Sequence, residues 1–370
     1  MNLNPFRFAA IAIFASIFPF ALGQLPPEFL RGGDVSEIPE VEAAGGHYSF
    51  HGKQEDPFVM MREAGWNFVR FRIWNNPRGA WCDKQHTLAL AIRAHQQGLK
   101  ISLDFHYSDW WADPGKQTKP VAWKNLSFDK LEEAVYDYTK DVVSAMVDQG
   151  TPPTMVQVGN EIISGMLWPD GRVSGNDPET WKPLIRLLQA GFKAVHAAEH
   201  GEHIATMIHL DRGGDNKGAV WWFDNALRGG LKFDAIGLSY YPNWHGGLKQ
   251  MEANVNDLAN RYKKDIYIVE TGYPWVIDQR TRSMGHVIGD PNGLLPGYPA
   301  TAEGQDRFVA KVIDILRHVP GGRGKGLLYW APTWISPGKA ATTYDNVALF
   351  DYRGEALPSF ETLGGAKTKR

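Results

Sequence analysis

Eight short apolar segments rich in β-branched residues recur along the chain, at 29–33, 67–73, 100–106, 155–160, 204–209, 234–241, 266–270 and 326–331. Each is followed by a connection long enough to hold a helix. Five connections, Thr87–Gln97, Leu131–Asp148, Trp181–Glu199, Met251–Tyr262 and Gln305–His318, combine helical spacing with good helix formers. Eight buried strands alternating with helices predict an α/β chain folded as a (β/α)8 TIM barrel. A doubly wound open sheet is the competing architecture, but no glycine-rich phosphate-binding turn follows the first strand. No low-complexity linker divides the chain. Residues 24–370 are therefore expected to form one barrel domain, with long loops rich in Gly, Pro and Trp at 107–127, 271–304 and 332–346.

Residues 1–23 stand apart from this pattern. Arg7 precedes an apolar run that reaches Leu22, and Ala21-Leu22-Gly23 is a small-x-small cleavage site. That is the pattern of a secretory signal peptide, with Gln24 opening the mature chain. A retained membrane anchor is the alternative, opposed by the short run and its interruption at Pro19. Export implies an oxidising destination, yet Cys82 is the only cysteine, so no internal disulfide can form. A formal net charge of -2 gives no reason to expect nucleic acid or an anionic membrane as partner. Fourteen tryptophans are more informative, because a flat ring with one N–H donor suits both core packing and stacking on sugars. They are expected to divide between a core and a cleft.

Two of the strand segments end on a carboxylate. Glu161 closes Met155-Val156-Gln157-Val158-Gly159-Asn160-Glu161, and Glu270 closes Ile266-Tyr267-Ile268-Val269-Glu270. Their separation of 109 positions places them on the fourth and seventh strands of a barrel. Active sites of such barrels are built at the C-terminal ends of the strands. Two carboxyls facing each other across that mouth are the equipment for cleaving a glycosidic bond: about 5–5.5 Å apart for retention, about 6.5–9.5 Å for inversion. Other strand ends supply supporting groups. Arg72 is placed to donate to a carboxylate and keep it ionised, His106 and Tyr240 are further donors, and Trp330 offers a floor for a sugar ring. The structural alternatives are a plain ion pair for Arg72, a core histidine for His106 and a core ring for Trp330.

Metal-dependent hydrolysis is the other chemistry these strand ends suggest. Asp104 with His106, and His209 with Asp211, form D-x-H and H-x-D pairs whose members point the same way on a strand. No third clear ligand cluster joins them, so no metal is assigned. Nor does the chain contain a G-x-S-x-G elbow.

Several blocks together resemble the arabinogalactan endo-β-1,4-galactanases of glycoside hydrolase family 53, within the larger clan of retaining barrel glycosidases. The blocks are Arg31-Gly32-Gly33-Asp34-Val35-Ser36, Val69-Arg70-Phe71-Arg72-Ile73-Trp74-Asn75, Leu103-Asp104-Phe105-His106-Tyr107-Ser108-Asp109 and Trp111-Ala112-Asp113-Pro114-Gly115-Lys116-Gln117. Val156–Ile162, Ile208–Asp211, Leu238–Pro242, Glu270–Pro274 and Tyr329–Pro332 continue the match. The resemblance implies that Glu161 is the general acid/base and Glu270 the nucleophile. By the same carry-over Asn160 holds a sugar 2-hydroxyl, Arg72 and Tyr240 position Glu270, Trp330 lines the subsite nearest cleavage, and His106 and Asp211 lie in the cleft. The implied partner is a galactan or arabinogalactan polysaccharide, bound by a secreted monomer that needs no cofactor. Some relatives hold a structural calcium in the loops after the seventh and eighth strands, but 276–296 here lacks a D-x-D-x-H cluster. Fungal relatives close a loop with a disulfide, which one cysteine cannot do. The rival readings are a clan relative acting on mannan, xylan or glucan, and a non-catalytic glycan-binding barrel. The presence of both glutamates argues against the second.

Overall fold

The computed structural model describes residues 28–79, 81–199, 203–338 and 342–365; the expected signal peptide lies outside them. Eight parallel strands close into a barrel: β1 (Leu30–Asp34), β2 (Phe68–Ile73), β3 (Lys100–Phe105), β4 (Met155–Val158), β5 (Ala205–Leu210), β6 (Ala235–Tyr240), β7 (Asp265–Thr271) and β8 (Gly324–Tyr329). Spatial order follows chain order, and β1 pairs with β8 from Leu30↔Gly326 to Gly33↔Tyr329 to complete the circle. Every expected strand segment contributes one of these strands. The barrel reading holds.

All five expected helices are present, at Lys84–Gln96, Phe128–Asp148, Pro178–Ala198, Leu248–Tyr262 and Ala302–Arg317. Each starts before its apolar spacing does, and in three of them a side-chain cap sets the first turn. Asp83, Asp177 and Thr301 accept hydrogen bonds from the backbone N–H groups of His86, Glu179 and Gly304. A further helix, Asn216–Arg228, in the connection from β5 to β6, has no counterpart among the predicted ones; it buries Trp222 and Phe223. No helix among the described residues is long and apolar enough to cross a membrane.

The strands are buried on both faces, and alternation decides what each face meets. Outward residues such as Val69, Phe71, Leu103, Val156 and Ile268 join the helices in the main core. Inward residues at the N-terminal end of the barrel, among them Leu30, Phe68, Met155, Met207, Tyr267 and Leu328, form a separate apolar plug. Packing there is tight enough that β1 requires glycine: a Cβ on Gly32 would lie 1.8 Å from the Phe68 carbonyl oxygen. One step further along the strands, the inward residues turn polar.

Candidate active site

Seven consecutive strands each place one polar side chain in this inward layer: Asp34, Arg70, Asp104, Gln157, His209, Ser239 and Glu270, all buried. Buried polar groups must find partners or lose the hydration they gave up, and these find each other. The Arg70 guanidinium donates to Asp34 at 3.1 Å, Asp104 at 2.8 Å and Asn160 at 3.1 Å, and stands 2.9 Å from Glu270. Gln157 bridges Asp104 to His209 Nδ1, and His209 Nε2 meets Ser239 Oγ at 2.8 Å. Ser239 in turn donates to Glu161 Oε1 at 2.6 Å.

Glu161 arrives by a different route. β4 stops at Val158, after which Gly159 (φ 88°) and Glu161 (φ 49°) both adopt left-handed backbone. Glycine takes that conformation freely, whereas for glutamate it costs roughly 1–3 kcal/mol. The turn is held by the Ile162 N–H bonding the His209 carbonyl at 3.1 Å, and it delivers the Glu161 carboxyl opposite Glu270. Donor atoms of Glu161, His209 and Glu270 lie within 4.8 Å of one another. Closest oxygens at that range match the retaining spacing rather than the inverting one.

The same three residues form the one set among the described residues with metal-ligand proximity. His209 is poorly suited to that role. Its Nε2 is taken by Ser239 and its Nδ1 by Gln157, leaving no free lone pair for an ion. Burial, reinforced by the Arg70 charge, also holds its pKa well below the usual histidine range, so the ring is neutral.

The two glutamates sit in unequal surroundings. Burial lifts the Glu270 carboxyl to about 7 against the pull of Arg70. Burial also lifts Glu161 well above the usual carboxylate range, and the charges of Glu270 and Asp211 push it further. Glu270 has a cation in contact and Glu161 has none, so Glu270 ionises first and Glu161 keeps the shared proton. Tyr241, whose own pKa is raised by burial and by both glutamates, stays protonated and directs its hydroxyl at Glu270 Oε2, 3.4 Å away.

Above the pair lies an open cleft of about 820 Å³. One wall is aromatic, with Trp110, Trp111, Trp330, Trp334 and Tyr344; Trp334 and Tyr344 stack at 5.5 Å. The opposite wall carries Asp211, Arg212, Trp244 and His245. Five tryptophans thus line the cleft, while Trp66, Trp74, Trp123, Trp181 and Trp222 are buried. The expected division between core and cleft is what the fold contains.

Of the side chains expected around the mouth, Glu161, Glu270, Asn160, Asp211 and Trp330 line the cleft. Three others stand elsewhere. Arg72 does not touch Glu270; it pairs with Asp34 at 2.9 Å and Glu37 at 3.4 Å, and the contact to Glu270 belongs to Arg70. Both arginines point inward, but Arg72 sits one step further along β2 and leans toward β1. Tyr240 faces outward, where its ring stacks over Phe308 and its hydroxyl donates to the Gly246 carbonyl. A side chain of opposite parity cannot reach the mouth, and its neighbours Ser239 and Tyr241 hold the two glutamates instead. His106 lies beneath the cleft floor rather than in it, with Nε2 3.0 Å from Asp104 and Nδ1 accepting from the Ala112 N–H. Sequence reasoning missed Arg70, Gln157, His209 in its supporting role, Ser239 and Tyr241. The signal that finds four of them is a polar residue at an inward position of a strand that is otherwise apolar.

Comparison with known proteins agrees with this geometry. The family model described as glycosyl hydrolase family 53 matches residues 30–363. An uncharacterized protein of Niallia circulans is 44% identical over 90% of this chain and 93% of its own. An arabinogalactan endo-beta-1,4-galactanase of Cellvibrio japonicus is 34% identical over 90% of this chain and 89% of its own. The solved structure of an Ignisphaera aggregans GH53 catalytic domain superposes with a TM-score of 0.83 at 36% identity, covering 92% of this chain and 96% of that one.

Proposed function

Because the chain belongs to glycosyl hydrolase family 53, and is therefore an enzyme that hydrolyses glycosidic bonds, we propose that it is an endo-acting β-1,4-galactanase. Its substrate is the galactan backbone, including that of type I arabinogalactan. The Cellvibrio japonicus relative bears that activity in its name, and a cleft open to solvent suits attack within a chain. Export of the mature chain from residue 24 would bring it to such a polymer.

One observation carries the mechanism: two carboxyls within 4.8 Å, of which only Glu270 touches a cation. Glu270, ionised first, attacks the anomeric carbon. As that bond forms, the glycosidic C–O bond breaks and Glu161 passes its proton to the leaving oxygen. Glu161, now a carboxylate, takes a proton from water; the resulting hydroxide attacks the anomeric carbon and releases Glu270. The sugar leaves with its original configuration. Asn160, Asp211 and Trp330 line the same cleft and are available to contact the sugar. Protein carboxyls supply all the proton transfers, so the reaction needs no cofactor.

Product analysis on linear β-1,4-galactan is the test. Internal cleavage with β-configured new reducing ends, seen by proton NMR in the first minutes, is the expected result. Release of oligosaccharides from mannan, xylan or glucan in preference to galactan would overturn the substrate assignment, and α-configured products the mechanism.

A further inference from the structure

Arg72, displaced from the role of touching Glu270, occupies an unusual position. Its guanidinium carbon lies 4.7 Å from the centre of the Trp111 ring, 5.4 Å from those of Trp330 and Trp334, and 5.7 Å from that of Trp74. Three of these rings line the aromatic wall of the cleft. A guanidinium over a ring face is attracted by the ring quadrupole, most strongly where water is excluded. Here the side chain is 1% exposed.

Asp34 ties this cation to the nucleophile. Its Oδ1 accepts from Arg72 at 2.9 Å and its Oδ2 from Arg70 at 3.1 Å, and Arg70 stands 2.9 Å from Glu270. Ser36 fixes the junction, donating its hydroxyl to Asp34 Oδ1 at 2.8 Å while accepting the Arg72 N–H at 2.8 Å. An unbroken chain of opposite charges therefore runs from Glu270 through Arg70 and Asp34 to Arg72 and the tryptophans. Arginine suits this place because its planar fork can bond a carboxylate while its face lies against rings; a lysine ammonium is a point charge and does one or the other.

We propose that Asp34 and Arg72 are positioning residues that couple the aromatic sugar-binding wall to the nucleophile, so that the seating of the sugar and the setting of Glu270 are fixed by one buried network. The inference deepens the assignment of Glu270 as nucleophile and rests on it.

A double-mutant cycle tests the coupling. Arg70→Lys and Arg72→Lys are made singly and together, and kcat and KM are measured on galacto-oligosaccharides long enough to reach the wall. Arg72→Lys alone is expected to raise KM about tenfold with a smaller fall in kcat, and to shift the intrinsic tryptophan emission. The double variant should lose at least fivefold less in kcat/KM than the product of the single losses, because the first substitution already disturbs the shared Asp34. Losses that simply multiply would overturn the coupling. Asp34→Asn, which keeps the shape and removes the charge, tests the link between Asp34 and the nucleophile. With the Asp34 charge gone, Glu270 should lose its proton more readily, so the acidic limb of the kcat/KM profile should move to lower pH; an unmoved limb counts against the proposal. Failure of the nucleophile assignment itself would appear separately, as activity retained by Glu270→Ala.

Discussion

Arg70 Nη2 stands 2.9 Å from Glu270 Oε1, in a pair whose side chains are 0% and 7% exposed. The arginine is what opposes the burial that lifts the Glu270 carboxyl to about 7. Removing it raises that value further, so less of Glu270 is ionised at a given pH. In Arg70→Met the acidic limb of kcat/KM is expected to move to higher pH, with kcat/KM at neutral pH falling about 10²–10³-fold, the loss typical of an electrostatic stabiliser in a water-excluded site. A pH–rate profile with its acidic limb unmoved would remove Arg70 from this role.

Ser239 and Asp211 act on Glu161 in opposite directions. The Ser239 hydroxyl donates to Glu161 Oε1 and favours its ionised form, whereas the Asp211 charge disfavours it. Ser239→Ala should therefore shift the alkaline limb to higher pH, and Asp211→Asn should shift it to lower pH. Asp211 itself is raised to about 6 by burial, so its influence is full only above that pH. Shifts of the same sign in both variants would mean that Glu161 does not set the limb.

Azide distinguishes the two glutamates chemically. With an activated aryl galactoside, Glu270→Ala plus azide is expected to yield the inverted glycosyl azide, because azide enters the vacated side directly. Glu161→Ala plus azide should yield the retained azide, formed from the glycosyl-enzyme intermediate. Without azide, Glu161→Ala should lose about 10²–10⁴-fold in rate on galactan, the range of general acid–base contributions, and Glu270→Ala, which removes the attacking group, should lose at least as much. Stereochemistry by NMR reads the outcome, and swapped configurations would exchange the assigned roles.

Stability should decline as pH rises through the neutral range. Four buried acids, Asp34, Glu37, Asp104 and Glu270, share two buried arginines, Arg70 and Arg72. Burial raises Glu37 and Glu270 to about 7 and Asp211 to about 6. A carboxyl raised on folding stabilises the fold fully below its unfolded value, and that contribution is lost as pH rises through the folded value. The window is therefore from about 4.5 to about 7. Asp104 is lowered, because Arg70 and His106 outweigh its burial, and it acts below this window with the opposite sign. His209 and His245, whose pKa values burial lowers, also oppose the decline below the unfolded histidine value of about 6.5. Glu161, raised by burial, extends it above about pH 7. The urea midpoint should be higher near about pH 6.5 than near about pH 8, where only the raised acids titrate, and Glu37→Gln should remove on the order of 2–3 kcal/mol of the acids' contribution to the decline between about pH 5 and about pH 8. A midpoint that rises from the first of these to the second would refute the reading.

The barrel and the two glutamates were legible without coordinates. Apolar, β-branched segments have few alternatives to a buried strand, and eight of them separated by helix-length connections leave the closed barrel as the consistent arrangement. Glu161 and Glu270 could be found because each terminates such a segment, and strand ends are where barrels expose chemistry. Helix starts were less legible, since capping by Asp83, Asp177 and Thr301 is a matter of one hydrogen bond each rather than of a repeating pattern.

The partners of the glutamates belong to the tertiary structure. Whether Arg70 or Arg72 meets Glu270 depends on how far each strand is staggered against its neighbours, and closure of the whole barrel sets that stagger. Whether Tyr240 or Tyr241 faces the mouth depends on the parity of β6, and Glu270 faces it only because β7 slips by one residue, the pairing passing from Leu238↔Ile268 to Ser239↔Glu270 and skipping Val269. Glu161 reaches its place only because Gly159 and Glu161 leave the strand in left-handed backbone. The sequence by itself determined the scaffold and the two acids, because hydrophobic periodicity is a local property of the chain. Which side chain holds each acid, and hence which one keeps the proton, was decided by contacts between strands far apart in sequence; a lone polar residue in an apolar strand marks the candidates, but no local pattern encodes which of them meet.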